Sequence, residues 1–325
     1  MGPSPTRRRT LQVGATAAVA GLGGCLGEKP PEGTLDFSTA DSINETRLPK
    51  RSQYRTEDAE FPFYRRYDAD EADTALILLH AAGLDSRYLQ PVAEAIAETK
   101  AAHVFTPDLR GHGPDPEDRG DIDYEGQYVD DIRSLMRSVE LTYPDAKVVV
   151  GGHGTGAGIV VRFAASQYGR LPDGYLMLSP YLGRKADTTR PGLGGWAKFY
   201  TDRIIMLRVA TGFGLDGYSD MTTVEYDIPE ERRDDSLTPT HTYRLMASYT
   251  PDEDTVESMA DRPSLVLVGE DDETVYPDAY ESAFADYPQA TVEFVEEASH
   301  LDLVLTDTAV GAMTDWLGEV DSRDE

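Results

Sequence analysis

The sequence predicts an α/β fold with a mostly parallel central sheet and helices on both faces. Continuous apolar runs of strand length, such as residues 74–80 (TALILLH), are typical of strands buried on both faces. These runs alternate with segments of helical periodicity, in which apolar side chains such as Tyr128, Ile132, Leu135 and Val139 recur on one face. A chain of 325 residues has room for one large domain of this kind with an insertion.

The alternation places the elements in order along the chain. Strands are expected at 61–67, 74–80, 102–106, 147–150, 175–178, 264–268 and 291–295. Helices are expected at 85–100, 128–139, 155–166, 277–286 and 304–318. Between Pro180 and Pro263 the alternation lapses, so residues 181–262 are interpreted as a cap or lid insertion. The core then consists of 58–180 and 263–325.

The composition is strongly acidic, with 59 Asp and Glu against 30 Lys and Arg and a formal net charge of −29. Such a charge repels nucleic acid, which excludes it as a partner. At molar salt the Debye length falls to about 3 Å, and a dense carboxylate surface becomes tolerable. The composition therefore predicts a protein adapted to a hypersaline medium.

The first residues have the pattern of an export signal. Three arginines, Arg7 to Arg9, precede a short apolar stretch that ends in Leu-Gly-Gly-Cys25. The paired arginines resemble a twin-arginine signal, and the last four residues resemble a lipobox. This resemblance implies that 1–24 is a signal peptide and that lipid on Cys25 anchors the protein to the outer face of the cell membrane. Residues 25–57 are interpreted as an acidic tether.

No apolar run reaches the roughly 18 residues of a membrane span, so no transmembrane helix is expected. Cys25 is the only cysteine, and the histidines are scattered along the chain. This pattern favours neither a disulfide framework nor a metal site. No metal or organic cofactor is therefore predicted.

The glycine-rich segment after the 147–150 strand is the most informative part of the chain. A strand, a turn with small residues on both sides of a central position, and a helix form the pattern of a nucleophile elbow. Gly152 and Gly156 occupy the two positions that must be small. The central position, where a serine is expected, is Gly154.

Two other interpretations fit the same glycines. Residues 152–157 match the G-x-G-x-x-A dinucleotide fingerprint, which belongs on the first strand of a βαβ unit with an acid ending the next strand. Here the motif follows the third strand, and Asp173 precedes the next strand. The glycines could also serve only to let a helix pack closely on a strand.

Five ordered motifs resemble the α/β-hydrolase family, above all its lysophospholipase, monoacylglycerol-lipase and serine-aminopeptidase branch. They are LLHAAG at 78–83, PDLRGHG at 107–113, the elbow at 152–156, GEDD at 269–272 and ASH at 298–300. The resemblance covers about residues 58–320. It implies the fold of that family, with a cap, and a small-molecule or lipid acyl substrate.

The resemblance also implies roles for individual residues. Asp272 matches the triad acid and His300 the triad base, in the chain order that this fold uses. The backbone N–H groups of Ala82 and Thr155 match the oxyanion-hole donors. Three further matching residues are interpreted as structural, namely His80, Arg110 and His112.

Gly154 departs from the family pattern because the mechanism needs a serine hydroxyl that attacks the carbonyl carbon. Glycine has no such group, so no acyl-enzyme can form there. Thr155 should direct its side chain away from the site, and Ser179, at the end of the next strand, is a weaker substitute. Glycine also relaxes a turn that strains any residue with a Cβ.

Three functions follow. In the first, His300 oriented by Asp272 activates a water molecule that hydrolyses an ester or amide, or the pair supports a non-hydrolytic reaction. In the second, the chain is an anchored pseudo-hydrolase that binds an acyl-type ligand beneath its cap. In the third, it keeps the hydrolase fold and does no chemistry. The fold alone does not choose among them.

Overall fold

The computed structural model describes residues 35, 37, 47–230 and 234–322. The expected signal peptide at 1–24 and the expected lipidation site at Cys25 lie outside the described residues, so both stay predictions. Within the described ranges, no helix combines the length and the apolar character that a membrane span requires.

Eleven strands and seven α-helices form the described part of the chain. The strands are β1 (Ser52–Gln53), β2 (Phe63–Tyr67), β3 (Thr74–Leu79), β4 (His103–Pro107), β5 (Lys147–His153), β6 (Gly174–Leu178), β7 (Ala197–Phe199), β8 (Thr222–Tyr226), β9 (Thr240–Thr242), β10 (Ser264–Gly269) and β11 (Ala290–Val295). The helices are α1 (Gln90–Glu98), α2 (Gln127–Thr142), α3 (Thr155–Ala164), α4 (Thr201–Gly212), α5 (Tyr243–Tyr249), α6 (Tyr280–Ala283) and α7 (Asp307–Ser322).

The main sheet has eight strands in the order β1-β2-β4-β3-β5-β6-β10-β11. All neighbours pair in parallel except β1 with β2 and β2 with β4. The β3–α1–β4 and β5–α3–β6 connections run in opposite directions along the sheet, so right-handed crossovers place α1 and α3 on opposite faces. In agreement, α1 contacts α7 while α3 contacts α2. The predicted fold class is confirmed.

The burial of each strand follows its place in the sheet. Every residue of β3 and β10 is buried, as their uninterrupted apolar sequences predict. The edge strand β11 alternates between more and less exposed residues, because one of its faces meets solvent. Because β3, β5, β6 and β10 are parallel, their carboxyl ends lie at one edge of the sheet. The loops that carry the motifs meet at this edge.

The segment interpreted as a cap contains its own small antiparallel sheet, β7-β8-β9, with α4 and α5. Its aromatic core includes Trp196 and Tyr226, whose ring centroids are 5.5 Å apart. These elements were not expected from the sequence pattern. The helix predicted at 277–286 is also shorter than expected, since only Tyr280–Ala283 is α-helical after a 3₁₀ turn.

Part of the range interpreted as a tether, residues 25–57, packs on the domain. Ser52–Gln53 pairs with β2, and Tyr54 is buried. Further towards the N-terminus, Leu35 is buried and the Phe37 ring lies 5.3 Å from that of Trp196 in the cap. Single apolar residues in an acidic segment show no periodicity, so the sequence pattern contained little sign of these contacts.

Candidate functional site

The elbow is a sharp turn between β5 and α3, with Gly154 at its apex. Gly154 has φ 55° and ψ −117°, a backbone conformation that strains residues with a Cβ. Two backbone hydrogen bonds hold the turn: the Gly154 N–H donates to the Leu178 carbonyl (2.9 Å) and the Tyr181 N–H donates to the Gly154 carbonyl (3.0 Å). The chain therefore has the backbone of a nucleophile elbow without its side chain.

The two flanking glycines leave no room for a side chain. A Cβ on Gly152 would lie 2.5 Å from the Gly156 carbonyl carbon, and a Cβ on Gly156 would lie 2.5 Å from the His80 carbonyl oxygen. Both contacts are with backbone, which cannot swing aside as a flexible side chain can. The requirement for small residues at these two positions thus has a direct steric cause.

Gly156→Ala is expected to destabilise the protein by about 3 kcal/mol or more, because its methyl group would overlap the backbone after β3. The measurement is the free energy of unfolding by denaturant in molar salt. The matched control is Gly311→Ala in α7, where a Cβ meets no atom within 4 Å. That control should be about 0.5–1 kcal/mol more stable than the parent, because alanine favours helix over glycine. Equal stabilities of the two variants would contradict the steric argument.

Asp272 and His300 meet at the carboxyl edge of the sheet, each in the loop after a parallel strand. His300 Nδ1 lies 2.7 Å from Asp272 Oδ2, and both residues are buried. The carboxylate is also held by Thr274, whose hydroxyl and N–H both donate to Oδ1 (2.7 and 2.8 Å). The Glu273 carboxylate accepts from the His300 N–H (3.0 Å). The structure therefore joins His300 with Asp272, the residue that was predicted.

This pair shifts both pKa values. Burial disfavours a charged imidazole, but attraction to Asp272 and the hydrogen bond between them outweigh burial, and the pKa of His300 is raised above 6.5. Burial also disfavours the Asp272 carboxylate, yet His300 and the hydroxyl groups around it lower the pKa of Asp272. Asp272 is thus an anion that orients the imidazole and stabilises its charged form.

The other nitrogen of His300 faces the elbow. A Cβ added at Gly154 would lie 3.1 Å from His300 Nε2 and 3.4 Å from the Ala81 Cβ. A serine hydroxyl at this position would come within hydrogen-bond reach of the imidazole, about 3 Å. The structure thus brings together the three positions that the resemblance implied, with glycine at the first.

His153 packs against His300, and Tyr88 in turn binds His153. Neither residue was predicted from the sequence. The His153 ring lies 4.3 Å from the His300 ring, and its Nε2–H donates to the His300 carbonyl (3.0 Å). The Tyr88 hydroxyl donates to His153 Nδ1 (2.9 Å) and accepts from the Ala81 N–H (2.8 Å). Burial and the neighbouring His300 hold the pKa of His153 well below 6.5, so His153 adds no second positive charge.

The predicted oxyanion donors lie beside the elbow, but the side chain of Thr155 is not where it was expected. The Ala82 N–H donates to Thr155 Oγ1 at 2.5 Å, so this side chain points into the site and not away from it. Thr155 is the first residue of α3 and lies next to the loop after β3. The buried Ala82 N–H needs an acceptor there, and the hydroxyl provides one.

A small cavity of about 20 Å³ lies over the pair and the elbow. Gly154 and His300 belong to its lining, and Leu193, Trp196 and Tyr226 of the cap form its apolar wall. A volume of this size holds about one water molecule. The cap therefore covers the site closely.

Two other residues bear on the alternative interpretations of this region: Asp173 on dinucleotide binding and Ser179 on a substitute nucleophile. Asp173 precedes β6, and its carboxylate accepts from the Val148 N–H (2.7 Å) near the start of β5. It thus lies at the sheet edge away from the glycines, which argues against dinucleotide binding. Ser179 lies beside Asp272 and lowers the pKa of that carboxyl. Ser179 also lines the cavity over the elbow, so its role as a weaker substitute nucleophile stays a prediction.

The residues interpreted as structural do hold loops together. His80 accepts from the Leu109 N–H (2.9 Å), and Arg110 binds the Asp131 carboxylate through two nitrogens (2.8 and 2.9 Å). His112 Nε2 lies 3.0 Å from His241 Nε2, which links this loop to the cap. In the part of the chain that the structure describes, no three potential metal-ligating side chains cluster in a way that could hold a metal ion.

Solved structures with the same fold include several lipases and esterases. A soluble variant of monoglyceride lipase from Saccharomyces cerevisiae is 17% identical, with a TM-score of 0.65 over 85% of this chain and 97% of that one. The monoacylglycerol lipase of Paleococcus ferrophilus is 17% identical, with a TM-score of 0.57 over 80% and 99%. A bacterial membrane phospholipase A is 15% identical, with a TM-score of 0.61 over 88% and 93%. At these identities the likeness shows the fold.

The sequence itself matches a family model. No curated protein matches the chain significantly by sequence. The model described as serine aminopeptidase, S33, matches residues 70–305, which is more than half of the chain and includes the five ordered motifs between 78 and 300. The protein therefore belongs to the serine aminopeptidase S33 family of α/β-hydrolases.

Proposed function

We propose that the protein hydrolyses an acyl ester with a water molecule that His300 activates directly. One observation carries the proposal: His300 is bound to Asp272 through Nδ1 and presents Nε2 to the place that a serine side chain would fill. Glycine leaves that place open beside a base. An imidazole so oriented is the usual general base of this chemistry.

The step balances as direct hydrolysis. The water oxygen bonds to the carbonyl carbon while its proton moves to His300 Nε2, and Asp272 stabilises the resulting imidazolium. The tetrahedral intermediate then expels the alcohol oxygen, which takes the proton from Nε2. The products are a carboxylic acid and an alcohol, and His300 is again neutral. No covalent intermediate forms on the protein.

The cavity wall supports an apolar acyl group as the substrate. Leu193, Trp196 and Tyr226 contribute mainly aliphatic and aromatic surface to the lining, and the Tyr226 hydroxyl is paired with that of Tyr249. An ester is larger than the cavity of about 20 Å³, so the proposal includes a movement of these cap residues that admits the substrate. Monoglyceride lipases and a phospholipase A share the fold, which agrees with an acyl ester.

The proposal predicts turnover that falls as the pH is lowered through the raised pKa of His300. Only the neutral imidazole accepts a proton, so below that pKa the rate should fall about tenfold per pH unit. The measurement is kcat/KM for short and medium acyl esters, and for aminoacyl amides, against pH in molar salt. Treatment with a fluorophosphonate should leave the rate unchanged, since there is no nucleophilic serine at Gly154. The absence of turnover above buffer, or inhibition by the fluorophosphonate, would contradict direct water attack.

A second candidate function is the binding of an acyl-type ligand without chemistry. It is favoured because two parts of the hydrolytic machinery are missing from the site. Gly154 provides no nucleophile, and the Ala82 N–H already has an acceptor in Thr155. The same assay decides between the two functions. If no ester or amide is hydrolysed and mass spectrometry finds an acyl lipid bound to the purified protein, the binding function is the correct one.

A further inference from the structure

One of the two expected oxyanion-hole donors, the Ala82 N–H, already has a hydrogen-bond acceptor within the protein. An N–H group directs its hydrogen along one line, and at Ala82 that line ends on Thr155 Oγ1, 2.5 Å away. A substrate oxygen bound by the same N–H would need to lie about 2.7–3.1 Å from the nitrogen. The two oxygens would then occupy the same space. The threonine hydroxyl therefore stands where the carbonyl oxygen of a substrate belongs.

Burial makes this contact persistent. Ala82 and Thr155 are each 6% exposed, so solvent does not compete for the N–H. A buried N–H without an acceptor costs about 1–3 kcal/mol, which the threonine hydroxyl avoids. Ala82 and Thr155 both line the small cavity over the elbow, so a substrate oxygen would have to enter beside this contact. A carbonyl group reaches Ala82 only if the Thr155 side chain turns away.

We propose that the Thr155 hydroxyl is an internal ligand of the oxyanion hole, which the substrate carbonyl must displace. This inference rests on the proposed function, because it concerns the same site and an acyl substrate. Thr155 then acts in two opposed ways, since its N–H is an expected oxyanion donor while its hydroxyl fills the place of the oxyanion. The Thr155 hydroxyl limits the rate by occupying the Ala82 N–H, and it takes no part in making or breaking bonds.

The test uses the Gly154→Ser background, which supplies a reactive group independent of the water route. Thr155→Ala should free the Ala82 N–H and raise both kcat for esters and the rate of fluorophosphonate labelling by about 10- to 100-fold, since one oxyanion donor is commonly worth 10²–10³. KM should change little. Thr155→Ser keeps a hydroxyl and should gain far less than Thr155→Ala. The control for the background rate is Thr99→Ala, which removes a hydroxyl that donates to the Ile96 carbonyl at the end of α1, away from the site.

The results separate the alternatives. If Thr155→Ala reacts no faster than the background, or if Thr155→Ser becomes equally fast, the hydroxyl does not block the hole. A slower Thr155→Ala would mean that the hydroxyl donates to the oxyanion, which also overturns the proposal. If the parent chain hydrolyses no ester, the proposed function is wrong. The series still tests the Thr155 hydroxyl in that case, because Gly154→Ser supplies its own nucleophile.

A binding measurement keeps the inference testable if the double variants fold poorly. In the Gly154 chain, Thr155→Ala should bind octanoate about 10-fold more tightly than the parent, because a carboxylate oxygen can then accept from Ala82. Isothermal titration calorimetry in molar salt measures this difference. Equal affinity of parent and variant would contradict the proposal.

Discussion

The Gly154→Ser variant is expected to be labelled by a fluorophosphonate and to hydrolyse medium-chain esters at least about 10³-fold faster than the parent. Removing the serine from a triad of this kind costs on the order of 10⁶ in turnover. We expect a smaller gain because the Thr155 hydroxyl still occupies the Ala82 N–H. The new hydroxyl would extend from a Cβ that lies 3.1 Å from His300 Nε2. The measurements are kcat/KM in molar salt and the mass shift of the labelled protein.

Gly154→Ala is the matched control, since it adds the same Cβ without the hydroxyl. It should neither be labelled nor gain turnover. Both variants should lose about 1–3 kcal/mol of stability, because φ at this position is 55° and residues with a Cβ are strained there. Labelling of the parent itself would show that another nucleophile exists and that the role assigned to position 154 is wrong.

The resemblance locates the residues of this candidate site because the positions that they occupy are tied to local backbone geometry. Gly152 and Gly156 stand where any side chain would overlap backbone, so their spacing is a steric necessity. Asp272 and His300 follow β10 and β11, whose continuous or alternating apolar patterns locate the carboxyl ends of two neighbouring parallel strands. Residues that follow adjacent strand ends must meet at one sheet edge.

The parts that the sequence does not predict depend on tertiary contacts. The rotamer of Thr155 follows from the need of a buried N–H 73 residues earlier in the chain. The packing of Trp196 over the site depends on a small antiparallel sheet made of strands three to five residues long. Thr274 is an exception, since Asp-x-Thr is a recognisable turn in which the aspartate accepts from the N–H two residues on.

The buried pair of His300 and Asp272 is the strongest argument that the site uses a base. A buried carboxylate is costly unless a partner compensates it, and without His300 the remaining contacts of Asp272 are the polar groups around it. The pair could therefore also persist for stability alone. These two explanations differ in what they predict for the turnover of the parent chain when the imidazole is replaced.

His300→Gln is expected to lower the parent's own ester turnover by about 10²–10⁴-fold, the usual contribution of a general base. Glutamine is chosen because its amide N–H can still donate to Asp272. A variant without a donor would leave a buried carboxylate unpaired, at a cost of about 3–5 kcal/mol. The measurements are kcat/KM against pH and the free energy of unfolding. The residual rate should lack the acid limb, while most of the stability is kept.

The matched control is His103→Gln, which replaces a buried histidine in β4 whose ring stacks on Tyr143 and accepts from the Ala69 N–H (3.0 Å). Turnover of this variant should equal that of the parent, because His103 does not line the cavity. If His300→Gln also keeps the parent's rate and acid limb, the imidazole takes no part in hydrolysis. The pair would then serve stability alone, and ligand binding would be the function that the geometry supports.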